Sequence, residues 1–346
     1  MRIEKIILDK IHRCYCASNV TVDGILKVVL ASEEVDGPCY AYWGEKFEHK
    51  EVIWEKGGGT MSIVEIPGTN GEFLAVQNFS PGFNAKDAKI VWGRYIDGQW
   101  EVKDFLKLPY VHRFDILESE GELYFVGATL CSSKRERNDW SDPGKLWVGK
   151  LPSDLNKQME IKPIKDYLLK NHGYCRGVYR GKPACFITCD SGAYAVVLPT
   201  ANSDWEVKQL MADRISDIAV FDLDGDGENE YAIIAPFHGN VMEIRKIIDE
   251  RRYETIYSYP NKMNFAHAVW TGDIFDIPTV ILGIRREECE LAYIQYHKAS
   301  KQFETHIIEK GVGTANVSLV EDGDRVLLIA ANHTKNEAAV YMMTDQ

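Results

Sequence analysis

The chain has 346 residues, 45% of them hydrophobic and 11% aromatic, which suffices for one large β domain or two ordinary ones. Its formal charge of -12 argues against nucleic acid or an anionic membrane surface as the main partner. No apolar run reaches the roughly 18 residues of a transmembrane helix, and the N-terminus lacks the apolar stretch and the cleavage site of a signal peptide. We therefore expect a cytoplasmic protein whose eight cysteines are reduced thiols.

Short apolar strands recur along the chain at intervals of about 46 to 61 residues, a period typical of β-propellers. The seven strands lie at 27–31, 73–77, 123–127, 184–188, 231–235, 279–283 and 326–330. The longest interval falls in the third unit, where residues 131–145 form a polar loop. The spacing favours a propeller over the alternative, two β-sandwiches side by side, because no linker interrupts it.

A second series, in which an apolar or aromatic residue precedes a glutamate, marks another strand in each of the first six units. Its seventh member would fall beyond Gln346, while residues 3–7 have the required pattern. The sequence therefore predicts an all-β chain with a single domain over residues 1–346. That domain is a seven-bladed β-propeller of four-stranded blades, and the N-terminal strand completes the last blade. Such closure leaves no exposed sheet edge.

An acidic, glycine-punctuated turn joins the apolar strands at 218–221 and 231–234. Carboxylates at alternate positions of a turn suit a hard cation such as Ca²⁺. The predicted ligands are Asp222, Asp224, Asp226, Glu228 and Glu230, with Glu228 acting through its carbonyl. A solvated acidic hairpin without a metal is the alternative.

Histidines cluster at one end of the predicted blades. If strands A to D of a blade alternate in direction, the start of A and the end of B lie on the same rim of the propeller. His12, His112, His172 and His267 lie near A-strand starts, and His238 and His333 lie just past B-strand ends. The dipeptides His12-Arg13 and His112-Arg113 recur, and the repeat predicts that they occupy the same position in their blades. Neutral imidazoles suit Zn, Mn or Fe, so His112, His172, His238, His267 and His333 are candidate ligands.

The same rim collects cations and aromatic side chains. Arg113, Arg176 and Arg285 are candidate binding residues for an anionic or polyhydroxylated ligand, and Trp140 could stack on a sugar ring. The loop at 78–84 adds Phe79 and Phe83. With a metal polarising a carbonyl, His172, His267 or Tyr174 could act as acid or base. The alternative is that the histidines only line a wet channel.

Two segments of the sixth unit carry a resemblance to known proteins. Residues 265–273 show a His-Ala-Val…Gly-Asp pattern, and residues 303–308 an aromatic-x-x-His-x-Ile pattern. Together with the acidic turn they resemble the FG-GAP or VCBS-type repeat, whose members build β-propellers. The chain is also distantly similar to the aldos-2-ulose (anhydrofructose) dehydratases and the oligogalacturonate lyases, which implies metal-assisted elimination. The resemblance covers residues 213 to 320 and carries over His267 as a site residue.

These patterns together predict a metal-assisted lyase, dehydratase or isomerase. Its substrate would be a sugar or uronate-like small molecule, bound at the rim rich in histidine and arginine. Ca²⁺ would be structural, and no nucleic acid or membrane partner is expected. A non-catalytic propeller scaffold that binds a glycan or a protein is the alternative.

Overall fold

The computed structural model describes residues 1–80, 84–249 and 252–345. Within these ranges every regular element is a β-strand, and no helix is present that could cross a membrane. The strands form seven antiparallel sheets arranged in a ring, each with four main strands in simple up-and-down order, and the third sheet has one short extra strand. The predicted all-β, seven-bladed propeller is therefore confirmed.

The strand bounds show the repeat directly. The first strand is β1 (Arg2–Lys10), and blades 1 to 3 contain β2 (Cys14–Val22), β3 (Ile25–Ser32), β4 (Cys39–Trp43) and β5 (His49–Trp54); β6 (Ile63–Glu65), β7 (Phe73–Gln77), β8 (Lys89–Ile96) and β9 (Gln99–Lys107); and β10 (Val111–Ser119), β11 (Glu122–Thr129), β12 (Cys131–Ser133), β13 (Asp142–Lys150) and β14 (Lys162–Leu168).

Blades 4 to 7 follow in chain order. They contain β15 (Gly173–Tyr179), β16 (Lys182–Cys189), β17 (Gly192–Val197) and β18 (Glu206–Met211); β19 (Asp217–Phe221), β20 (Glu230–Ala235), β21 (Val241–Asp249) and β22 (Arg252–Ser258); β23 (Asn264–Ile274), β24 (Ile277–Arg286), β25 (Leu291–His297) and β26 (Gln302–Glu309); and β27 (Asn316–Asp322), β28 (Arg325–Asn332) and β29 (Glu337–Thr344).

The N-terminal strand closes the ring, as the sequence predicts. β1 pairs antiparallel with β29, with Ile3 opposite Met343 and Ile6 opposite Val340, and so becomes the outer strand of blade 7. An open ring would leave the backbone groups of β29 without partners along one edge. Both ends of the chain therefore contribute to one sheet.

The core lies between neighbouring blades, where each sheet packs on the next. The second strand of each blade is buried on both faces, which explains its continuous apolar sequence. The outer strands combine half-buried and exposed residues. In blade 3, the segment predicted as a polar loop forms a β-structured extension instead, because β12 pairs with the start of β13.

Candidate metal centre

Three inner strands carry an extra residue at their rim end. In β2, Cys14 and Cys16 pair with the neighbouring residues Ser32 and Ala31, so that Tyr15 between them has no partner across the ladder. The registers of β10 and β23 shift in the same way around His112 and His267. Such β-bulges re-aim a side chain, and they are common beside functional sites. Here all three side chains meet in the central channel.

His172 reaches the channel from the start of blade 4. Its backbone N–H donates to the Thr188 carbonyl at 3.1 Å, while the next residue, Gly173, is the one that pairs with Thr188 in the ladder. A Cβ on Gly173 would lie 2.2 Å from Thr188 Oγ1 and 2.5 Å from Asp217 Cα. Only glycine fits there, and this close approach sets where His172 enters the channel.

His238 arrives from the loop between β20 and β21, not from an inner strand. Its backbone adopts a φ of 48°, in the left-handed region. The backbone N–H donates to Ser216 Oγ at 3.0 Å, which ties the loop to the start of blade 5. The ring then points back over the channel towards His172 and His267.

His172, His238 and His267 form a set of potential metal ligands. One ring nitrogen from each lies within 4.8 Å of the others, and the two Nε2 atoms of His172 and His238 are 3.3 Å apart. Two imidazoles on a tetrahedral metal at 2.0–2.1 Å would place their nitrogens about 3.3 Å apart. The His172–His238 pair therefore already has the spacing of two ligands in a tetrahedral coordination shell, and His267 lies close to both.

Backbone carbonyls fix the orientation of two of these rings. His172 Nδ1 lies 3.3 Å from the Ser216 carbonyl oxygen, and His267 Nδ1 lies 2.7 Å from that of Ala315. Since a carbonyl only accepts, each Nδ1 carries the proton and each Nε2 presents a lone pair to the cluster. Metal-binding histidines usually have such a partner for the second ring nitrogen.

Burial keeps these imidazoles neutral. It lowers the pKa of His172 and His267 well below the usual value, with further lowering from the neighbouring rings and from Arg113. Burial also lowers the pKa of His238 to about 3. Neutral rings at physiological pH keep their lone pairs available to a metal.

Tyr15 and His112 complete the cluster. The Tyr15 hydroxyl lies 3.3 Å from His112 Nε2 and 3.4 Å from His267 Nε2. The His112 ring lies 4.4 Å from that of His172, measured between centroids. Burial lowers the pKa of His112 and raises that of Tyr15, so both groups are neutral. The Tyr15 hydroxyl therefore lies within hydrogen-bonding distance of two neutral imidazoles.

Aromatic side chains cover the cluster on the rim side. Phe237 stacks on His238 at 4.0 Å between centroids, and Phe265 lies 4.5 Å from the same ring. Phe79 contacts His112 edge-on, and Trp140 packs against Phe237. Trp140 thus belongs to the cover, as its predicted rim position indicates. Phe83 lies outside the described residues.

A cavity of about 530 Å³ lies on the other side of the cluster, within the channel. Cys16 and Arg113, which directly follow Tyr15 and His112, line its inner end. Its lining extends to Pro67 and Gly68 in the A–B turn of blade 2. The cavity therefore extends towards the face opposite the histidine rim, where the sequence did not predict a pocket.

Arg113 and Arg176 both line this cavity, and of the two only Arg176 forms an ion pair with a carboxylate among the described residues. Its guanidinium makes a two-point ion pair with the buried carboxylate of Asp115.

Tyr174 lines the cavity as well and packs partly into the core between blades 3 and 4. Within the described residues it makes no contact with the histidines. Burial raises the pKa of Asp217 to about 7, although Arg113 opposes the shift.

His333 and Arg285 form a separate group on the rim. His333 Nε2 lies 2.6 Å from Glu33 Oε1, and Arg285 lies 2.7 Å from His333 Nδ1. Arg13 pairs with the same glutamate. The structure therefore brings together three of the five predicted histidine ligands, places His112 beside them, and engages His333 with charged partners of its own.

The acidic turn of blade 5 holds its carboxylates close together. Oxygens of Asp222, Asp224 and Asp226 lie within 4.8 Å of one another. Glu230 is fully buried and accepts the Leu223 N–H at 2.8 Å, whereas Glu228 is exposed. The ammonium of Lys246 reaches three of the carboxylates, at 3.0 Å to Asp224, 2.5 Å to Asp226 and 2.9 Å to Glu230. This turn and the histidine set are the two groups of described residues that could hold a metal ion.

The two His-Arg dipeptides do not occupy equivalent places. The bulge position of His112 in blade 3 is taken by Tyr15 in blade 1, three residues after His12. His12 is largely exposed beside Glu34. The Cys14 N–H donates to the Ile11 carbonyl in the same way as the Val111 N–H donates to the Leu108 carbonyl. These matching turns align Tyr15 with His112, but the sequence carries no signal for them.

No protein-family model matches the chain, and no curated protein matches it either.

Proposed function

We propose that the protein is a metal-dependent lyase or isomerase acting on a sugar or uronate-like compound, built on an FG-GAP or VCBS-type propeller. The observation that carries the proposal is the set of ring nitrogens of His172, His238 and His267, which lie within 4.8 Å of one another, with 3.3 Å between those of His172 and His238. Three imidazoles with the fourth position left open are the ligand set of catalytic rather than structural zinc sites. Zn, Mn and Fe all suit such ligands.

A divalent metal held there supplies Lewis-acid polarisation of a substrate carbonyl or carboxylate oxygen. Polarisation of this kind makes the neighbouring C–H bond acidic. Elimination then needs one group to take that proton and another to protonate the departing oxygen, so that the C–O bond breaks and water leaves.

Tyr15 and His112 are the groups positioned to donate and accept these protons. His112 Nε2 lies 3.3 Å from the Tyr15 hydroxyl, and this hydroxyl also lies 3.4 Å from a metal-ligand nitrogen of His267. Neutral His112 can accept a proton, and the Tyr15 hydroxyl can donate one. In this role Tyr15 replaces Tyr174, whose side chain lies between blades 3 and 4.

Metal binding tests the proposal before any substrate is known. Apo protein titrated with Co²⁺ should bind one ion at the histidine set and develop the visible absorption of a tetrahedral site, and Zn²⁺ should displace it. His172→Gln and His267→Gln should each weaken the binding at least tenfold, since one of three ligands is lost. His12→Gln is the matched control, because that rim histidine is exposed.

Turnover is then tested with the metal-loaded protein on mixtures of keto-sugars and uronates, by mass spectrometry for loss of one water. A wild-type chain that binds no Co²⁺ or Zn²⁺ would contradict the metal centre. A loaded centre that converts no carbohydrate would contradict the lyase and favour the non-catalytic scaffold instead.

We also propose that the acidic turn of blade 5 binds Ca²⁺. Support comes from the grouped oxygens of Asp222, Asp224 and Asp226, and from Gly225 and Gly227, which adopt positive φ values of 77° and 93° as a tight ligand loop requires. Glu230 is a further candidate oxygen ligand. Lys246 would have to give up part of its contacts to these carboxylates when the ion binds.

A further inference from the structure

The cluster is covered by aromatic rings on its rim side and faces an open cavity on its channel side. On the rim side, Phe237 stacks on His238, and Phe265 lies against the same ring. His172 and His267 keep only 1% and 2% of their surface exposed. On the other side, a volume of about 530 Å³ begins at Cys16 and Arg113. A small molecule therefore has room in the channel and not beneath the aromatic cover.

Arg113 is the cation at the inner end of this cavity. Within the described residues, no carboxylate lies in ion-pair distance of its guanidinium, which donates to the Met61 carbonyl at 3.5 Å. The other cation in the cavity, Arg176, is offset by Asp115. Glu65 lies near the outer end and accepts the Thr21 N–H. Arg113 therefore supplies a positive charge to the inner end of the cavity, and Glu65 adds a carboxyl group to its lining.

Trp270 gives the cavity a flat apolar surface. It lines the wall beside Thr271, and 37% of its surface is exposed, which is unusual for a tryptophan on an inner strand. No stacking partner holds the ring among the described residues. An exposed indole inside a polar cavity is a platform for the face of another ring.

Hydroxyl and amide groups complete the lining. Ser18 and Ser62 donate to the carbonyls of Ile63 and His112, at 3.0 and 3.2 Å, so their oxygens retain lone pairs for a ligand. Asn19, Asn316 and Ser318 line the same space. The lining therefore offers hydrogen bonds to a hydroxylated compound along its length.

We infer that the channel cavity is a binding site for a small ring compound with one carboxylate, which enters from the A–B turn face. The carboxylate pairs with Arg113 and the ring lies against Trp270. Binding of such a compound needs no metal. Its conversion rests on the proposed function, which this inference deepens by naming the class of substrate. Sugar acids and aromatic acids share this chemistry, and the test separates them.

Fluorine NMR of protein labelled with 5-fluorotryptophan reports binding at this site. The chain has eight tryptophans, and the signal of Trp270 is the one lost in Trp270→Phe. The probes are D-glucuronate with uncharged D-glucose, and benzoate with uncharged benzamide, all added after chelator treatment. A shift of the Trp270 signal with either acid, and not with its uncharged partner, supports the inference. The acid that produces it identifies the kind of ring.

Two arginine variants separate the channel from the rim. Arg113→Gln should weaken binding of the acid at least tenfold, since a charge-assisted hydrogen bond is lost. Arg286→Gln should leave binding unchanged, because Arg286 lies over Phe265 on the rim side. If Arg113→Gln fails to fold, the comparison of acid with uncharged probe on the wild-type protein decides.

The inference is overturned if neither acid shifts the signal, if the uncharged partners bind as tightly, or if binding follows Arg286. Its failure is distinct from that of the proposed function. Acid binding without any Co²⁺ binding retains the inference and contradicts the enzyme. Co²⁺ binding without acid binding contradicts the inference and retains the proposed metal centre.

Discussion

Glu51 connects two blades through a single carboxylate. Its oxygens accept the indole N–H groups of Trp43 and Trp100, each at 2.9 Å, and pair with Lys27 at 2.6 and 2.7 Å. The ammonium of Lys27 also lies 4.2 Å from the centroid of the Tyr95 ring. Lys27 is 3% exposed, so its charge depends on this one partner and on the surrounding rings.

Glu51→Gln should destabilise the protein by about 3 kcal/mol, because the buried Lys27 loses its counter-charge. Adding Lys27→Met should recover much of the loss, since the unpaired charge is then gone. Urea unfolding of both single variants and the double variant measures this. Glu101→Gln, which breaks the exposed pair with Arg94, serves as control and should cost less than about 1 kcal/mol. Additive effects of the two substitutions would contradict the coupling.

Lys27 also marks a limit of sequence analysis at the level of single residues. It lies at the beginning of an apolar strand at 27–31, where a lysine normally indicates the exposed end. Its partner is 24 residues away, and the rings around it belong to two blades. Long-range partners of this kind leave no local pattern. The same holds for the carbonyls of Ser216 and Ala315 that orient the histidines.

Among the elements, the acidic turn of blade 5 is satisfied without a metal. Its oxygens accept backbone N–H groups of the turn, such as those of Gly225 and Gly227 at 2.8 and 2.9 Å from Asp222. Lys246 supplies a positive charge to three of the carboxylates. A bound Ca²⁺ would therefore compete with the Lys246 ammonium for the same carboxylate oxygens.

Lys246→Met should lower stability in chelator and enlarge the rise in Tm caused by Ca²⁺, because the ion no longer competes with the ammonium. Thermal unfolding with chelator and with millimolar CaCl₂ measures both effects. Lys298→Met is the control, since Lys298 lies beside Gly225 but makes no ion pair in the described part of the chain. If Ca²⁺ shifts neither wild type nor Lys246→Met, the turn is a plain acidic hairpin.

The inner strands show why the rim could be predicted better than the site. Placing His112, His172 and His267 near A-strand starts needs only the repeat period and strand alternation. Which residue turns into the channel depends on a β-bulge, whose position changes by single residues without a sequence signal. Tyr15 was missed for this reason. The sequence places the pocket on the rim because histidines and arginines gather there, and it gives no sign that Phe237 and Phe265 cover the cluster on that side.

For the whole molecule, charged contacts fix the strand that closes the ring. Lys5 on β1 pairs with Glu337 of its own blade at 2.6 Å and with Glu309 of blade 6 at 2.8 Å. The Tyr341 hydroxyl donates to the same Glu309 oxygen, Oε2, at 2.7 Å. Burial alone would raise the pKa of Glu309, but these hydrogen bonds and the charge of Lys5 lower it.

This lowered pKa predicts loss of stability in acid. A carboxylate with a lowered pKa in the folded state stabilises the protein fully above its unfolded value of about 4.3, and the contribution disappears as the pH falls through the folded value. Lys5→Met should therefore lower Tm at pH 7 and make the loss between about pH 5 and pH 3 less steep. Lys10→Met, at the exposed end of β1, is the control. Parallel pH profiles for all three proteins would contradict this.

The period of the repeats was enough to predict the ring and its closure by residues 3–7. Both follow from the need to pair every strand edge, which does not depend on particular side chains. The chemistry of the channel depends on contacts between blades, and these appear only when the ring is assembled.

The bond between Tyr15 and His267 joins residues 252 positions apart. Tyr15 comes from blade 1 and His267 from blade 6, so the cluster is complete only when the ring of blades has closed. If the proposed metal binds this cluster, it binds the closed ring in preference to the open one, and metal release and ring opening become linked events.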